Sequence, residues 1–333
     1  MAGVKAQKRG NSMKTYLEQY KPGENVEEFF LVKSAVIRTA NSGNRYGDLV
    51  LADKTGEMAG KIWDLNQEVL PVISALAERE IVKVRGTVTE WNGTRQLKIL
   101  RIRLRREEDC LELSDFIKAA PFSGEEMYQR VMGFVESIKD TDYMMIAMSL
   151  LTEYKEKLLY FPAAMRHHHA ELGGLLYHIL RMLENAQAMC GVYGFLNRDL
   201  LLCGVMLHDI AKLEEIDADR FGMAQAYTFE GQMLGHIIQG IKIVDRAAAE
   251  LKLPEEKRIM LEHMLLSHHY EPEYGSPKKP LFPEAEILHY LDLIDARVYD
   301  MELALKNTEP GSFSEKVFTM DNRRLYKAKE KEE

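Results

Sequence analysis

Between Val26 and Arg106 apolar residues recur at every second position, and beyond Glu171 at every third or fourth. In the first stretch "FFLVKSAVIRT" (29–39) alternates, "YGDLVLADKTG" (46–56) reads as a strand ending in a turn, and "MAGKIWD" (58–64) as a short strand. "LNQEVLPVISALAERE" (65–80) has helical spacing, with Pro71 marking its first turn. Residues 80–105 then read as two strands joined by Asn92-Gly93, a pair suited to a tight hairpin turn. Three strands, a helix and two strands is the order of an OB-fold barrel, a common binder of single-stranded nucleic acid. The last strand is expected to send Leu100, Ile102 and Leu104 to one face and Arg101, Arg103 and Arg105 to the other.

Residues 107–165 read as an acidic connector that becomes helical, with a capping-box pattern at Ser123 and Glu126. Five long segments with helical periodicity follow, at 171–190, 197–213, 231–252, 255–269 and 284–306. The expected fold is therefore two-domain: an N-terminal all-β OB-fold barrel (13–106) and, after the connector, a C-terminal all-α helical bundle (166–310). A disordered lead-in (1–12) and a solvated C-terminal tail (311–333) flank them.

Composition changes the picture in three ways. No run of about 18 apolar residues exists, and the N-terminus has no apolar signal core, so neither a membrane span nor export is expected. The three scattered cysteines fit a reducing cytoplasm and argue against a thiolate metal site. The net charge of −8 conceals an asymmetry: 19 Lys and Arg against 12 Asp and Glu through Arg106, then 25 against 40. A basic front half suits a polyanion. There Arg38, Tyr46, Lys61, Trp63, Arg95, Lys98, Arg101 and Arg103, with Trp91, supply the rings and cations that single-strand binders combine. Trp63 or Trp91 placed in the core is the competing reading.

All ten histidines lie at or after His167, and several interrupt apolar helical runs. His178 sits in "GGLLYHILRML", His208 and Asp209 in "VMLHDIAK", and His236 in "MLGHIIQGI". His268 and His269 follow "EHMLLS", and Asp292 sits in "ILHYLDLIDAR". A lone histidine on an apolar face is usually a satisfied core residue. Five helical segments each contributing one or two donors are explained together by a shared metal centre. Leu200, Leu201, Leu202, Val205, Met206, Leu207 and Ile210 cover most of a helix, so Asp209 is expected to be buried and needs a compensating charge.

Five imidazoles and two carboxylates exceed the needs of one ion and suffice for two if Asp209 bridges them. Lacking sulfur, the set suits two divalent ions, Mn²⁺ first, with Fe²⁺, Co²⁺ and Zn²⁺ as alternatives. Lys212 shares a helix face with His208 and Asp209 and is expected to hold a phosphate oxygen; a helix-end cation is its plainer role. His208, Asp209 and Lys212 are the expected catalytic residues of a phosphate-ester hydrolase. No GxxxxGK[ST] loop and no GxGxxG after a strand is present.

The pattern H…HD…H…HH…D with "HDIAK" resembles the HD-domain superfamily of metal-dependent phosphohydrolases. "FPAAMRHHHAELGGLLYHIL", "YTFEGQMLGH", "SHHYEPEYGSP", "LHYLDLIDAR" and "FTMDNRRLY" narrow it to bacterial 3′-to-5′ exoribonucleases that place an OB-fold before the HD domain, the YhaM type. That resemblance implies His178, His208, Asp209 and Asp292 around one metal and Asp209, His236, His268 and His269 around the second. It puts His168 and His169 at an active-site rim facing RNA phosphate or metal. Asp295, one turn after Asp292, leaves the final ligand open.

The activity so implied is stepwise removal of 5′-nucleotides from the 3′ end of single-stranded RNA, with single-stranded DNA as a further substrate. A phosphohydrolase of a small nucleotide (a cyclic dinucleotide, an alarmone or a dNTP) is the second enzyme reading, though the barrel has no evident use in it. A single-strand-binding protein with a structural metal is the third. The methionines of the back half fit core packing, with an interface between copies of the chain as the alternative.

Overall fold

The alternating part of the chain closes on itself. The computed structural model describes residues 15–40, 43–67, 69–76, 80–109, 111–165, 169–306 and 308–329; the expected lead-in, Cys110, His167 and His168 lie outside them. Contacts divide the chain into two units, residues 1–118 and 119–333.

In the first unit β1 (Asn25–Thr39) pairs along its first half with β4 (Ile81–Trp91) and along its second half with β2 (Arg45–Asp53). β2 continues antiparallel into β3 (Gly56–Ile62), and β3 meets β5 (Thr94–Leu104) in parallel. The result is a closed barrel in the order β1-β2-β3-β5-β4, which leaves no sheet edge exposed. Phe30, Val32, Leu49, Leu51, Val82, Val84, Leu97 and Ile99 fill it.

Two local expectations change. Within the stretch predicted helical over 65–80 the described helix is α1 (Val69–Ala75), whose start is capped by the Asn66 side chain accepting from the Val69 N–H at 3.0 Å; residues 68 and 77–79 lie outside the described residues. On β5, Leu100 does not share a face with Ile102: Leu100 is 60% exposed and Ile102 buried. The register slips between Arg85 and Gly86, so Leu100 is the extra residue of a bulge and the alternation changes phase there.

In the second unit α2 (Gly124–Glu136), α3 (Thr141–Glu153) and α4 (Lys155–Leu158) precede the five expected helices. They do not form a connector. Met127, Val131, Ile146, Leu150 and Leu158 belong to the same buried cluster as Leu176, Leu201, Val244, Leu265 and Leu288. The five are α5 (Gly174–Val192), α6 (Arg198–Leu207), α8 (Phe229–Leu251), α9 (Glu255–Ser267) and α10 (Pro283–Lys306). A single turn, α7 (Lys212–Glu215), and a small hairpin of β6 (Ile216–Ala218) and β7 (Ala224–Tyr227) link α6 to α8.

The expected tail is also folded in its described part. Gly311 and Ser314 N–H groups donate to the carbonyls of Lys327 and Leu325 at 2.7 and 2.8 Å, and Ser314 and Met320 are buried. No helix among the described residues is long and apolar enough to cross a membrane.

Candidate metal centre and nucleic-acid face

Every residue from Leu200 to Leu207 is buried, so α6 runs through the middle of the second unit. It stops at Leu207. The next residues form tight turns, with Ile210 N–H on the Leu207 carbonyl and Lys212 N–H on the Asp209 carbonyl. This break, rather than the continuous helix expected over 197–213, presents His208 and Asp209. α8 is broken one residue before its histidine: Gly235 has φ 69° and ψ 164°, a conformation that only glycine adopts readily. The freed His236 N–H donates to Glu215 Oε1 at 3.0 Å.

Five imidazoles are anchored in the same way, through Nδ1. His178 donates to Asp295 Oδ2 at 2.7 Å, and His208 to the Val205 carbonyl at 2.9 Å. His236 donates to Glu215 Oε1 at 3.2 Å, His268 to the Leu265 carbonyl at 2.7 Å, and His269 to the Tyr274 carbonyl at 2.6 Å. Such bonds fix the tautomer and direct Nε2 inward. His178 Nε2 then lies 3.4 Å from Asp292 Oδ1 and 3.9 Å from Asp209 Oδ2, and His208 Nε2 lies 3.3 Å from Asp209 Oδ2. Asp209 Oδ1 is 3.6 Å from His236 Nε2 and 3.9 Å from His268 Nε2.

All seven residues expected at the metals are thus brought together around Asp209. His208 Nε2, His236 Nε2, His268 Nε2 and Asp209 Oδ1 are buried without a hydrogen-bond partner among the described residues. Each such atom costs about 1–3 kcal/mol if left unsatisfied. Cations held among these residues would satisfy all four at once, and the donor set fits them. Two groups that share no residue could each hold an ion: His178, His208 and Asp209, and His236, His268 and His269.

The charges agree. Burial opposes ionisation of Asp209, yet Lys212, whose Nζ is 2.6 Å from Oδ2, and His208 hold its carboxyl well below the usual range. Burial, with His269 and His208 alongside, pushes His268 well below the ordinary histidine value; burial and His236 lower His269. Both rings are held neutral, the form that binds metal.

His169 is not at a rim. It is fully buried, its Nε2 donates to Asp295 Oδ2 at 2.8 Å, and its ring centroid is 4.0 Å from that of Tyr299. The glycine at 174 permits this, since a Cβ there would meet the His169 carbonyl oxygen at 1.9 Å. Asp295 also receives Arg181 Nε at 2.7 Å. It supports His178 through Nδ1, while Asp292 faces the other ring nitrogen, Nε2.

A cleft of 860 Å³ opens onto this centre, lined by Lys212, Glu215, His236, His268, His269 and Asp292 among others. Neither Glu215 nor His289 is among the residues singled out from the sequence. His289 lines the cleft, donates from Nδ1 to the His268 carbonyl at 2.8 Å, and stacks obliquely on Tyr270. Its position three residues before Asp292 was the available signal.

On the barrel, Tyr46 and Trp63 stack with centroids 4.8 Å apart, and Trp63 is 53% exposed. Asp48 bridges Arg38 at 2.7 Å and Lys61 at 2.5 Å, and Lys98 stands opposite Lys61 across the β3–β5 pairing. Trp91 is exposed at the end of β4, and Arg101 is exposed on β5. Two expected contacts are used otherwise. Arg95 donates to the carbonyls of Leu17, Glu18 and Tyr20, tying the chain start to the barrel. Arg103 makes a two-pronged pair with Asp109, both prongs 2.8 Å.

A model of the OB-fold nucleic acid binding domain matches residues 32–105, and an HD domain model matches residues 175–297. The 3′-5′ exoribonuclease YhaM of Geobacillus sp. (strain WCH70) is 39% identical over 308 residues, 92% of this chain and 93% of that protein. That of Listeria welshimeri is 40% identical over 316 residues, 94% of this chain and 98% of that protein. With both domains matched in order and the relatives covered almost end to end, the chain belongs to the YhaM family of 3′-5′ exoribonucleases.

Proposed function

We propose that this chain removes 5′-nucleotides one at a time from the 3′ end of single-stranded RNA, and also of single-stranded DNA, in the cytoplasm. His178, His208, Asp209 and Asp292 hold one divalent ion, and Asp209, His236, His268 and His269 the other, with Mn²⁺ favoured over Fe²⁺, Co²⁺ and Zn²⁺. Bound there, the ions supply an acidified water and positive charge at the attacked phosphate.

The chain's own groups do the rest. The Nδ1 anchors hold the rings in one orientation, Lys212 offers a proton-rich cation to a phosphate oxygen, and the apolar wall of α6 excludes stray water. The barrel face of Arg38, Tyr46, Lys61, Trp63, Lys98 and Arg101 holds the incoming strand by charge and stacking. His208 and Asp209 act from within the metal centre.

The observation that carries this reading is the convergence of four buried atoms, on Asp209 and three histidines, that have no hydrogen-bond partner among the described residues. A time course on 3′- and 5′-labelled single-stranded RNA with Mn²⁺, Mg²⁺ or EDTA tests it. Mononucleotide release from the 3′ end, abolished by EDTA, is expected; internal cuts, or cleavage indifferent to EDTA, contradict it.

A further inference from the structure

Of the two cations that line the cleft, Lys212 and Arg297, only Lys212 is paired with a carboxylate among the described residues. Three carboxylates line it, and each is engaged: Glu215 with His236 at 3.2 Å, Asp292 with His178 at 3.4 Å, and Glu271 with Lys279 at 3.8 Å. Lys212 is held by Asp209. Arg297, half-buried in the same wall, has neither a hydrogen bond nor an ion pair among the described residues. It shares a face of α10 with His289, Asp292, Leu293 and Ala296, all of which line the cleft.

A guanidinium is the side chain best shaped to grip phosphate with two parallel hydrogen bonds. Left without a carboxylate inside a cleft, it is ready for an anion of the substrate. Arg297 follows Asp292 by five residues, about 7.5 Å along the helix axis. That offset is comparable to one step between successive phosphates of a strand, which allows Arg297 and the metal centre to address different phosphates.

On the exonuclease reading above, we infer that Arg297 binds the phosphate one nucleotide upstream of the one cut. It thereby registers the 3′ end so that only the terminal nucleotide is presented to Asp209 and Lys212.

The test compares two minimal substrates, a dinucleoside monophosphate (NpN) and its 5′-phosphorylated form (pNpN). Only pNpN carries the upstream phosphate. Full-length wild-type, Arg297→Lys and Arg297→Ala proteins are assayed for kcat and KM on both, and for affinity with divalent ions chelated. The wild type is expected to prefer pNpN by about tenfold or more, chiefly in KM, the loss expected from one charge-assisted contact. Arg297→Ala abolishes the preference, Arg297→Lys restores part of it, and bound metal per chain stays the same.

A wild type that treats both substrates alike overturns the inference, whether or not the variants fold. So does an equal loss on both substrates, which assigns Arg297 to the scissile phosphate. Arg297-dependent preference for pNpN in the binding assay, with neither substrate cut, overturns the exonuclease reading and leaves a phosphate site. Cleavage of both without discrimination does the reverse.

Discussion

Glu215 Oε1 accepts from both the backbone N–H and the ring Nδ1–H of His236, at 3.0 and 3.2 Å. The two bonds meet at the break in α8 and leave His236 Nε2 3.6 Å from Asp209 Oδ1. Removing a carboxylate that orients a ligand histidine typically weakens metal binding about 10–100-fold. Glu215→Ala is therefore expected to lose that much affinity for Mn²⁺, and Glu215→Gln, whose amide oxygen still accepts, considerably less. Calorimetric titration of chelator-stripped protein measures both; an Ala variant with unaltered affinity contradicts the role.

Asp295 ties together three cationic or donor groups, His169, His178 and Arg181, and is itself buried. Asp295→Ala leaves Arg181 and both rings without their acceptor. Breaking a buried charged pair on one side costs about 3–5 kcal/mol, and that loss is expected in urea unfolding of the metal-free protein. A loss under about 1 kcal/mol, the range of surface pairs, shows that the network is dispensable to the fold.

The pH dependence of the metal-free protein has two limbs. Burial opposes protonation of His178, but Asp292 and Asp295 raise it from the ordinary 6.5 to about 9. A raised folded value favours the folded state at low pH, so this contribution is full below pH 6.5 and disappears as pH rises towards 9. His268 and His269 are lowered, chiefly by burial, so below pH 6.5 the unfolded chain takes up their protons first and stability falls. Unfolding midpoints in EDTA are expected to decline between pH 6.5 and 9, and His178→Gln should flatten that limb. A midpoint that rises across this window opposes the assignment.

The candidate metal centre was legible because each expected ligand interrupts an apolar helical run, and a buried polar atom in such a run demands a partner. The choice between Asp292 and Asp295 was not legible. One turn apart on α10, they meet different nitrogens of His178, Asp292 the Nε2 and Asp295 the Nδ1, a matter of ring orientation. On the barrel, Arg95 and Lys98 have the same charge and nearly the same place in β5. Arg95 is claimed by carbonyls of residues 17–20, some 75 positions away, and no local pattern announces that. The misplaced face of Leu100 has a similar origin, since a bulge of one residue reverses every later side chain.

The exposure of Arg101 and the pairing of Arg103 with Asp109 have a consequence for binding of a single strand. Trp63→Ala is expected to weaken binding of a single-stranded oligonucleotide by about 1–3 kcal/mol, the value of one stacked base. Arg101→Gln is expected to reduce its salt dependence. Arg103→Gln should act mainly on stability, through the lost pair with Asp109. Fluorescence anisotropy at several salt concentrations, beside thermal unfolding, separates the two effects. Binding that depends on Arg103 as steeply as on Trp63 contradicts the division.

The account depends most on cations gathered at Asp209, and counting them is the most direct test. Elemental analysis of folded, Mn²⁺-loaded protein is expected to give about two divalent ions per chain, the complement of a two-metal hydrolase. Asp209→Asn should bring that below one while the helical signal persists. Well-folded wild-type protein that retains no divalent ion from a saturating Mn²⁺ solution contradicts the central claim.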